Sequence, residues 1–395
     1  MCCGTEHIFD VNDRRLQRSV PPISSVKSSN GSPRSAGPYD IRAALAVPGP
    51  GIRLLTFDDG GIRGLAMLLL LRKIMVKVQQ ASGLSSLPPP HEYFDIIGGS
   101  GTGGFIALLL GRLRLSIEDA IEGYTRIVAQ VLTQIKADGS FKTTLFEKVL
   151  KEISHRYGEG EQTLLLDSLP APCKAFVCTR EDNGSGTMTD RRLRSYPYPG
   201  DSPRRCTFVE AARATMGHTI FFKPLSTLEG GIAVTYRDAG DDHYNPLFDI
   251  LEEAKTLYPT RHIAYCLSLG AGTANTVGEN AARRFINQPR LPLTVLTMLR
   301  HLADRCDDIA ASFEAQHSSH IDGIYVRLTP TDRSPDGRIR WEQVDALDDF
   351  VSSYLTSAHQ TVRHLINAMT NERDLITAAS RRNLGRPTRS WDCVR

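Results

Sequence analysis

The sequence predicts an α/β fold, a three-layer α/β/α sandwich with a mostly parallel central sheet. Short apolar runs alternate with longer segments of helical periodicity, which is typical of parallel strands joined by helical crossovers. Two glycine-rich loops, residues 58–64 and 98–104, each follow a strand-like run and precede a helical one. Such strand–loop–helix units are where α/β proteins place anion-binding amides or a nucleophile.

Length and composition indicate one large globular domain between two tails. The chain has 395 residues, of which 41% are hydrophobic and 23% charged, and this allows a substantial buried core. We expect the domain to span residues 51–370. Residues 1–50 are rich in Ser, Pro, Gly and Arg and predict a disordered N-terminal tail, and residues 371–395 predict a C-terminal tail. A net charge of +3 without a dense Lys/Arg run argues against a nucleic-acid partner.

The predicted elements follow from the apolar patterns. Strands are expected over residues 53–57, 93–97, 174–179, 231–236 and 263–269, and helices over residues 65–80, 104–114, 117–135, 293–313 and 344–368. Ser116 is a predicted N-cap because Glu118 and Asp119 follow it in the first helical turn.

The sequence predicts a cytoplasmic protein, with peripheral contact to membranes as a compatible location. No apolar run approaches the roughly 20 residues that a spanning helix needs, and the start lacks a signal-peptide pattern. The eight cysteines are therefore expected to be reduced. Cys2 and Cys3 are either acylation sites or part of an unmodified tail. No metal-ligand spacing is present, and no cofactor is expected.

The first glycine-rich loop reads Asp-Asp-Gly-Gly-Ile-Arg-Gly over residues 58–64. Its glycines allow backbone N–H groups to converge at the start of the following helix, where they would hold a phosphate or the oxyanion of a tetrahedral intermediate. The candidate anion-binding residues are Gly60, Gly61, Ile62 and Arg63. The alternative is a tight turn that needs glycine only for positive φ.

The second glycine-rich loop has the spacing of a nucleophile elbow, G-x-S-x-G. Glycines two before and two after a central residue occur at Gly99 and Gly103, and the residue between them is Gly101. Centring the motif on Ser100 would require glycine where the chain has Thr102. The sequence therefore predicts an elbow without a serine at its tip. Ser100 is a weak alternative nucleophile, and Thr102 joins the candidate anion-binding residues.

A third loop begins with Asp238-Ala239-Gly240 after a strand-like segment. It is either a solvated turn or a carboxylate held at a strand end as a general base. His243 in the same loop is a further candidate base or a plain exposed histidine. His218 and Asp59 are the remaining candidates for residues near a pocket.

These three loops, in this order, resemble the motifs of the patatin-like phospholipase family over roughly residues 51–370. The family's oxyanion motif is D-G-G-G-x-R-G, its elbow is usually G-T-S-T-G-G, and its second catalytic residue is the Asp of D-G-A/G. Supporting segments lie at residues 94–99, 110–113, 210–215, 222–224 and 267–272. The chain is most similar to the fungal branch, with a FabD/lysophospholipase-like fold.

The resemblance implies a Ser–Asp pair that hydrolyses fatty acyl esters, with Asp238 as the base and Gly60 and Gly61 as oxyanion donors. It also implies that the nucleophile position is Gly101, which has no side chain. Asp59 stands in place of the first glycine of the oxyanion motif. Residues 216–219 depart from the family's usual Ser-Ala-Ala-Pro run as well.

Three functions are compatible with these departures. The first is a lipid acyl-hydrolase scaffold that binds fatty-acyl or other hydrophobic esters, with serine-dependent hydrolysis lost or very weak. The second is a non-hydrolytic acid/base enzyme, of isomerase, cyclase or transferase type, that uses Asp238 and Asp59 in the former lipase pocket. The third is a lipid-binding pseudoenzyme. All three take a lipid or a hydrophobic small molecule as partner.

Overall fold

The described residues form an eight-stranded sheet with helices connecting its strands. The computed structural model describes residues 50–384 apart from 137, 169–170, 185, 202–204, 278–292, 318–322 and 332–343. The strands are β1 (Ile52–Phe57), β2 (Ile96–Ser100), β3 (Lys174–Asp182), β4 (Thr189–Arg194), β5 (Leu225–Glu229), β6 (Ile232–Arg237), β7 (Ile263–Leu269) and β8 (Tyr325–Leu328). The predicted N-terminal tail lies outside the described residues, apart from residue 50.

Helices connect and cover the strands. They are α1 (Leu65–Ala81), α2 (Gly101–Ala107), α3 (Ile117–Ile127), α4 (Thr143–Tyr157), α5 (Phe208–Thr215), α6 (Leu247–Leu257), α7 (Leu293–His317), α8 (Val344–Ser357) and α9 (His359–Leu384). Helix α9 continues past residue 370, where the sequence placed the start of a tail.

The sheet order is β5-β6-β3-β2-β1-β7-β8, and β4 also pairs with β3. Five neighbouring strands, β3, β2, β1, β7 and β8, are mutually parallel. Strands β4, β5 and β6 add antiparallel pairs at one side of the sheet. Strands β1 and β2 are buried along their whole length, as expected for parallel strands covered on both faces. The predicted mostly parallel α/β fold is confirmed.

Helix α1 forms the centre of the apolar core. Its first seven residues, Leu65–Leu71, are all fully buried. The helix is therefore apolar on every side over these residues and amphipathic only after them. Ser116 caps α3 as predicted, because its side chain accepts a hydrogen bond from the Asp119 amide.

Several element boundaries differ from the sequence prediction. The second strand covers residues 96–100 instead of 93–97, since a 3-10 turn at Pro90–Glu92 ends at Tyr93. The predicted helix 344–368 is divided between Ser357 and His359. Helices α4, α5 and α6 and strands β4, β5 and β8 were not predicted, because they are short or carry charged residues within their apolar pattern.

The strand register brings the three loops to one edge of the sheet. In the parallel pair, Phe57 of β1 lies opposite Gly99 of β2, so loop 58–64 and the elbow begin side by side. Strand β6 is antiparallel to β3 and ends with Arg237 opposite Arg180. Asp238 therefore follows β6 at the same edge.

The described residues include no helix that is both long and apolar enough to cross a membrane. They hold no group of three or more His, Cys, Asp or Glu side chains arranged for a metal ion. Their five cysteines form no disulfide.

A buried ion pair anchors the start of loop 58–64. Arg327 on β8 donates from Nη1 to Oδ1 of Asp58 at 2.8 Å and from Nη2 to Oδ2 at 2.6 Å. Both side chains are at most 9% exposed. Arg327→Met leaves the Asp58 carboxylate buried without a partner, and we expect a loss of about 3–5 kcal/mol in the free energy of unfolding.

Urea unfolding measures this loss, with Arg305→Met as the matched control. Arg305 pairs with Asp242 at 3.2 Å, but the Asp242 side chain is 86% exposed, so the control loses less than about 1 kcal/mol. Equal losses in the two variants would contradict the anchoring role of Arg327.

Candidate functional site

The elbow has glycine at its tip. Strand β2 ends at Ser100, helix α2 begins at Gly101, and Gly101 adopts φ +52°. This left-handed conformation costs an L-residue about 1–2 kcal/mol, so glycine is the residue that makes the sharp turn with least strain. The Gly101 amide donates to Oγ1 of Thr215 at 2.9 Å, which ties the elbow to α5.

The carboxyl group of Asp59 fills the space in front of Gly101. A Cβ atom built on Gly101 would overlap the carboxyl carbon and both carboxyl oxygens of Asp59. At a nucleophile elbow this is the volume into which the serine side chain projects. The tip therefore has a carboxylate from the neighbouring loop where a hydrolase has a hydroxyl.

The same carboxylate occupies the backbone donors of the two loops. Oδ1 of Asp59 accepts hydrogen bonds from the Gly61 amide at 3.1 Å and from the Thr102 amide at 3.2 Å. The Thr102 hydroxyl donates to the same oxygen at 3.3 Å and accepts from the Gly60 amide at 3.2 Å. Of the predicted anion-binding residues, Gly61 and Thr102 thus donate their amides to Asp59, whereas the Gly60 amide donates to Thr102 and the Arg63 amide to the Gly60 carbonyl.

Burial dominates the electrostatics of Asp59, which is 7% exposed. Loss of solvation raises its pKa, whereas the hydrogen bonds from Gly61 and Thr102 and the nearby His218 lower it. The negative charge of Asp238 adds a smaller upward shift. Asp59 is therefore a harder carboxyl to ionise than an exposed aspartate.

The Arg63 side chain, a predicted anion-binding group, donates its hydrogen bonds to backbone carbonyls. Its Nε donates to the Gly60 carbonyl at 3.3 Å, Nη1 to the Gly272 carbonyl at 2.6 Å, and Nη2 to the Leu299 carbonyl at 3.2 Å. The side chain is 1% exposed. The bonds from Nη1 and Nη2 join loop 58–64 to the segment after β7 and to α7.

Asp238 is buried and lies in electrostatic range of Asp59. Its Oδ2 accepts from the Tyr244 hydroxyl at 2.9 Å and from the Gly240 amide at 3.3 Å, and its Oδ1 lies 3.6 Å from Nη2 of Arg180. Tyr244 also links the two aspartates, because its carbonyl accepts from the Asp59 amide at 2.8 Å.

Ser100 and His243 lie away from the tip. Ser100 is fully buried, and its hydroxyl donates to the carbonyl of His243, which leaves it no access to a substrate as a nucleophile. The His243 ring lies between Asp190, 3.3 Å from Nε2, and Asp249, 2.9 Å from Nδ1. These carboxylates raise the pKa of His243 to about 10, so it is a paired cation and a poor general base.

An apolar cavity of about 40 Å³ opens onto Asp59 and the elbow. Asp59, Thr102 and His218 supply polar side chains to its wall, with Gly61 and Gly101 beside them. The rest of the lining is apolar and comprises Ile62, Leu132, Phe141, Met216, Phe221, Phe222, Val295, Leu299 and Leu302. Asp238 is not among the lining residues.

Most of the apolar lining was missed in the sequence. Phe141, Phe221 and Phe222 come from two distant segments and pack with ring centroids 5.4–5.6 Å apart. Helix α7 contributes Val295, Leu299 and Leu302 to the cavity wall. No local sequence motif marks these residues, because their position depends on tertiary contacts. The helical periodicity of residues 293–313 predicted a helix there, but it did not indicate which elements the helix contacts.

Comparison with known proteins finds phospholipases. No family model matches the chain. It is 24% identical over 383 residues to calcium-independent phospholipase A2-gamma of Oryctolagus cuniculus, covering 90% of this chain and 45% of that protein. It is 40% identical over 81 residues to phospholipase A I of Arabidopsis thaliana, covering 20% of this chain and 6% of that protein. The chain spans less than half the length of these curated relatives.

Among solved structures, VipD from Legionella pneumophila aligns with a TM-score of 0.33 and 13% identity. The alignment covers 78% of this chain and 67% of VipD.

Gly101→Ala tests the overlap between the elbow tip and Asp59. We expect a loss of at least about 2 kcal/mol in the free energy of unfolding, since a positive φ and a steric collision add. In the Asp59→Gly background the same change should cost only the conformational part, about 1–2 kcal/mol. Urea unfolding of the four proteins measures this coupling.

Gly83→Ala is the matched control. Gly83 has φ +61° and nothing within 4 Å of its built Cβ, so it reports the conformational cost alone. Equal costs for Gly83→Ala and Gly101→Ala in the wild-type background would contradict the overlap with Asp59.

Proposed function

The chain is a patatin-like protein, and we propose that it binds lipids in the elbow cavity without serine-dependent hydrolysis. One observation carries the proposal: the Asp59 carboxylate occupies both the space of the nucleophile side chain and the amides of the oxyanion site. An ester carbonyl in this cavity meets neither a nucleophile at Gly101 nor unoccupied amides of Gly61 and Thr102.

The magnitude of these losses supports the proposal. In the serine hydrolase subtilisin, removal of the nucleophile costs about 10⁶ in kcat. Removal of one oxyanion donor in the same enzyme costs about 10²–10³. In this chain the nucleophile is absent and the amides of Gly61 and Thr102 are occupied by Asp59. The cavity has an aliphatic and aromatic lining, the kind of surface that contacts an acyl or other hydrocarbon chain.

The phospholipase relatives support a lipid as the ligand class. Their names describe phospholipases, and the match to the A2-gamma protein extends over 90% of this chain. The apolar wall agrees with such a ligand, because burial of a hydrocarbon chain contributes about 25 cal/mol per Å². A lipid or a similar hydrophobic molecule is thus the proposed partner.

A double substitution tests the proposal. Gly101→Ser alone should show no esterase activity on p-nitrophenyl butyrate above background, because the new side chain collides with Asp59. Asp59→Gly with Gly101→Ser removes the collision and frees the amides, with Asp238 available as a base. We expect at least about tenfold more activity than the sum of the single variants.

Labelling with a serine-directed fluorophosphonate gives an independent readout. The wild-type protein should remain unlabelled and the double variant should be labelled, and adding Ser100→Ala should change neither result. Stoichiometric labelling of the wild-type protein that Ser100→Ala abolishes would contradict the proposal.

A second candidate function is acid/base catalysis without a covalent intermediate. The observation that favours it is a buried carboxyl, Asp59, with a raised pKa at the wall of an apolar cavity and with Asp238 nearby. Two carboxyls in different environments suit a proton donor and a proton acceptor. Asp238 does not line the cavity, so it would act through Tyr244 or through Asp59.

Mass spectrometry of co-purifying lipids separates the two candidates. For a binding protein, Asp238→Asn retains the same compounds as the wild-type protein. For an acid/base enzyme, the variant accumulates a substrate that the wild-type protein converts, while its thermal stability stays within a few degrees. Identical lipid profiles would exclude the catalytic candidate.

A further inference from the structure

The tip of the hairpin formed by β5 and β6 exposes large apolar side chains. Leu228 is 78% exposed and Ile232 is 57% exposed. The turn between them consists of Gly230 and Gly231, with φ +57° and +86°, as in the two-residue turns that close tight hairpins. In the part of the chain that the structure describes, no atom outside the turn lies within 4 Å of a Cβ built on either glycine. The tip is therefore narrow and surrounded by open space.

The strand register carries this tip out of the sheet. Strand β6 pairs with β3 through residues 235–237, opposite residues 180–182, whereas its pairing with β5 continues to Ile232. A rise of about 3.3 Å per strand residue places Ile232 roughly 10 Å beyond the end of β3. Because β3 is parallel to β2 and β2 ends at the elbow, the hairpin projects from the edge of the sheet that carries the elbow.

The exposed apolar side chains lie on both faces of the hairpin. Side chains alternate along a strand, so Ile232 has the same facing as Val234 and Tyr236, which are buried. Leu228 pairs with Ala233 and therefore has the opposite facing. A protein surface that docks on one face of the hairpin would cover only one of the two exposed side chains. A lipid bilayer surrounds an inserted tip and covers both.

Three exposed cations lie near the base of the hairpin. Lys223 precedes the first residue of β5 by two positions, and Arg237 is the last residue of β6. Lys142 lies close to Lys223, because the Lys223 amide donates to the hydroxyl of Thr143 at 3.3 Å. All three residues are exposed, and none has a carboxylate within 4 Å among the described residues. Anionic lipid head groups would supply the missing counter-charges.

From these observations we infer that the β5–β6 hairpin docks the protein on an anionic lipid bilayer. Leu228 and Ile232 enter the acyl region, and Lys142, Lys223 and Arg237 contact the head groups. Two aliphatic side chains alone give weak and reversible insertion, so the charges are the second contribution that docking needs. The inference goes beyond the proposed function and does not depend on what the elbow cavity holds.

Co-sedimentation of the full chain with vesicles of phosphatidylcholine and phosphatidylserine, at about 7:3, tests the inference. We expect the wild-type protein to bind. Leu228→Ser with Ile232→Ser should lower the apparent affinity at least about tenfold, because the two side chains no longer bury apolar surface. Leu164→Ser is the matched control, since Leu164 is 40% exposed and lies outside the hairpin, and it should bind as the wild-type protein does. The melting temperatures should be unchanged, because all three exchanged side chains are exposed.

Vesicles of phosphatidylcholine alone separate the contribution of charge from that of apolar burial. Lys223→Gln with Arg237→Gln should weaken binding to the phosphatidylserine vesicles at least about threefold and leave binding to phosphatidylcholine unchanged. Lys151→Gln, at an exposed position on α4, is the control and should change neither affinity. Glu229 precedes the turn and has the same charge sign as phosphatidylserine, so Glu229→Gln should strengthen binding to the anionic vesicles.

The possible failures are distinguishable. If the wild-type protein does not bind the phosphatidylserine vesicles, the inference is overturned. Equal binding by the wild-type protein and the Leu228–Ile232 double variant would overturn the role of the hairpin. Self-association without lipid, abolished in the double variant and accompanied by no vesicle binding, would assign the tip to a second copy of the chain instead. The proposed function fails separately, through fluorophosphonate labelling of the wild-type protein, which these vesicle measurements do not affect.

Discussion

The arrangement of the site depends on the parallel pairing of β1 with β2. Phe57 lies opposite Gly99, so the two strands end at the same level and deliver their loops into contact. The approach is close: a Cβ atom at Gly103 would collide with the backbone carbonyl of Asp58. A shift of register by one residue would reverse the facing of the side chains and separate Asp59 from the elbow. The site and the cavity in front of it thus follow from one pair of strands.

This constraint also explains how a buried carboxylate is tolerated at position 59. Two backbone amides and a hydroxyl converge on Oδ1, and such donors lower the free energy of an anion. In an acyl hydrolase, groups of this kind stabilise a charge that exists only in the transition state. In this protein the same kinds of donor bind the Asp59 side chain. Hydrogen bonds that would lower an activation barrier in a hydrolase therefore stabilise the folded protein here.

Much of the framework was accessible from the sequence, because its signals are local. The elbow is defined by glycines within two residues of its tip, and apolar runs such as Leu65–Leu71 in α1 define core elements without reference to partners. Other features depend on distant contacts. The carbonyl partners of Arg63 lie up to 236 residues away, so a loop arginine looked available to an anion. The position of Asp59 near the amides was expected, but its occupation of the elbow tip depends on the tertiary approach of two loops.

Positions 59 and 101 constrain each other. The Asp59 carboxyl group fills the volume in front of Gly101, so a side chain at 101 requires that carboxyl group to move away from the amides of Gly61 and Thr102. Exchange of the present pair for a Gly–Ser pair by single substitutions passes either through this crowded combination or through glycine at both positions. The second intermediate has neither a nucleophile nor the substitute carboxylate.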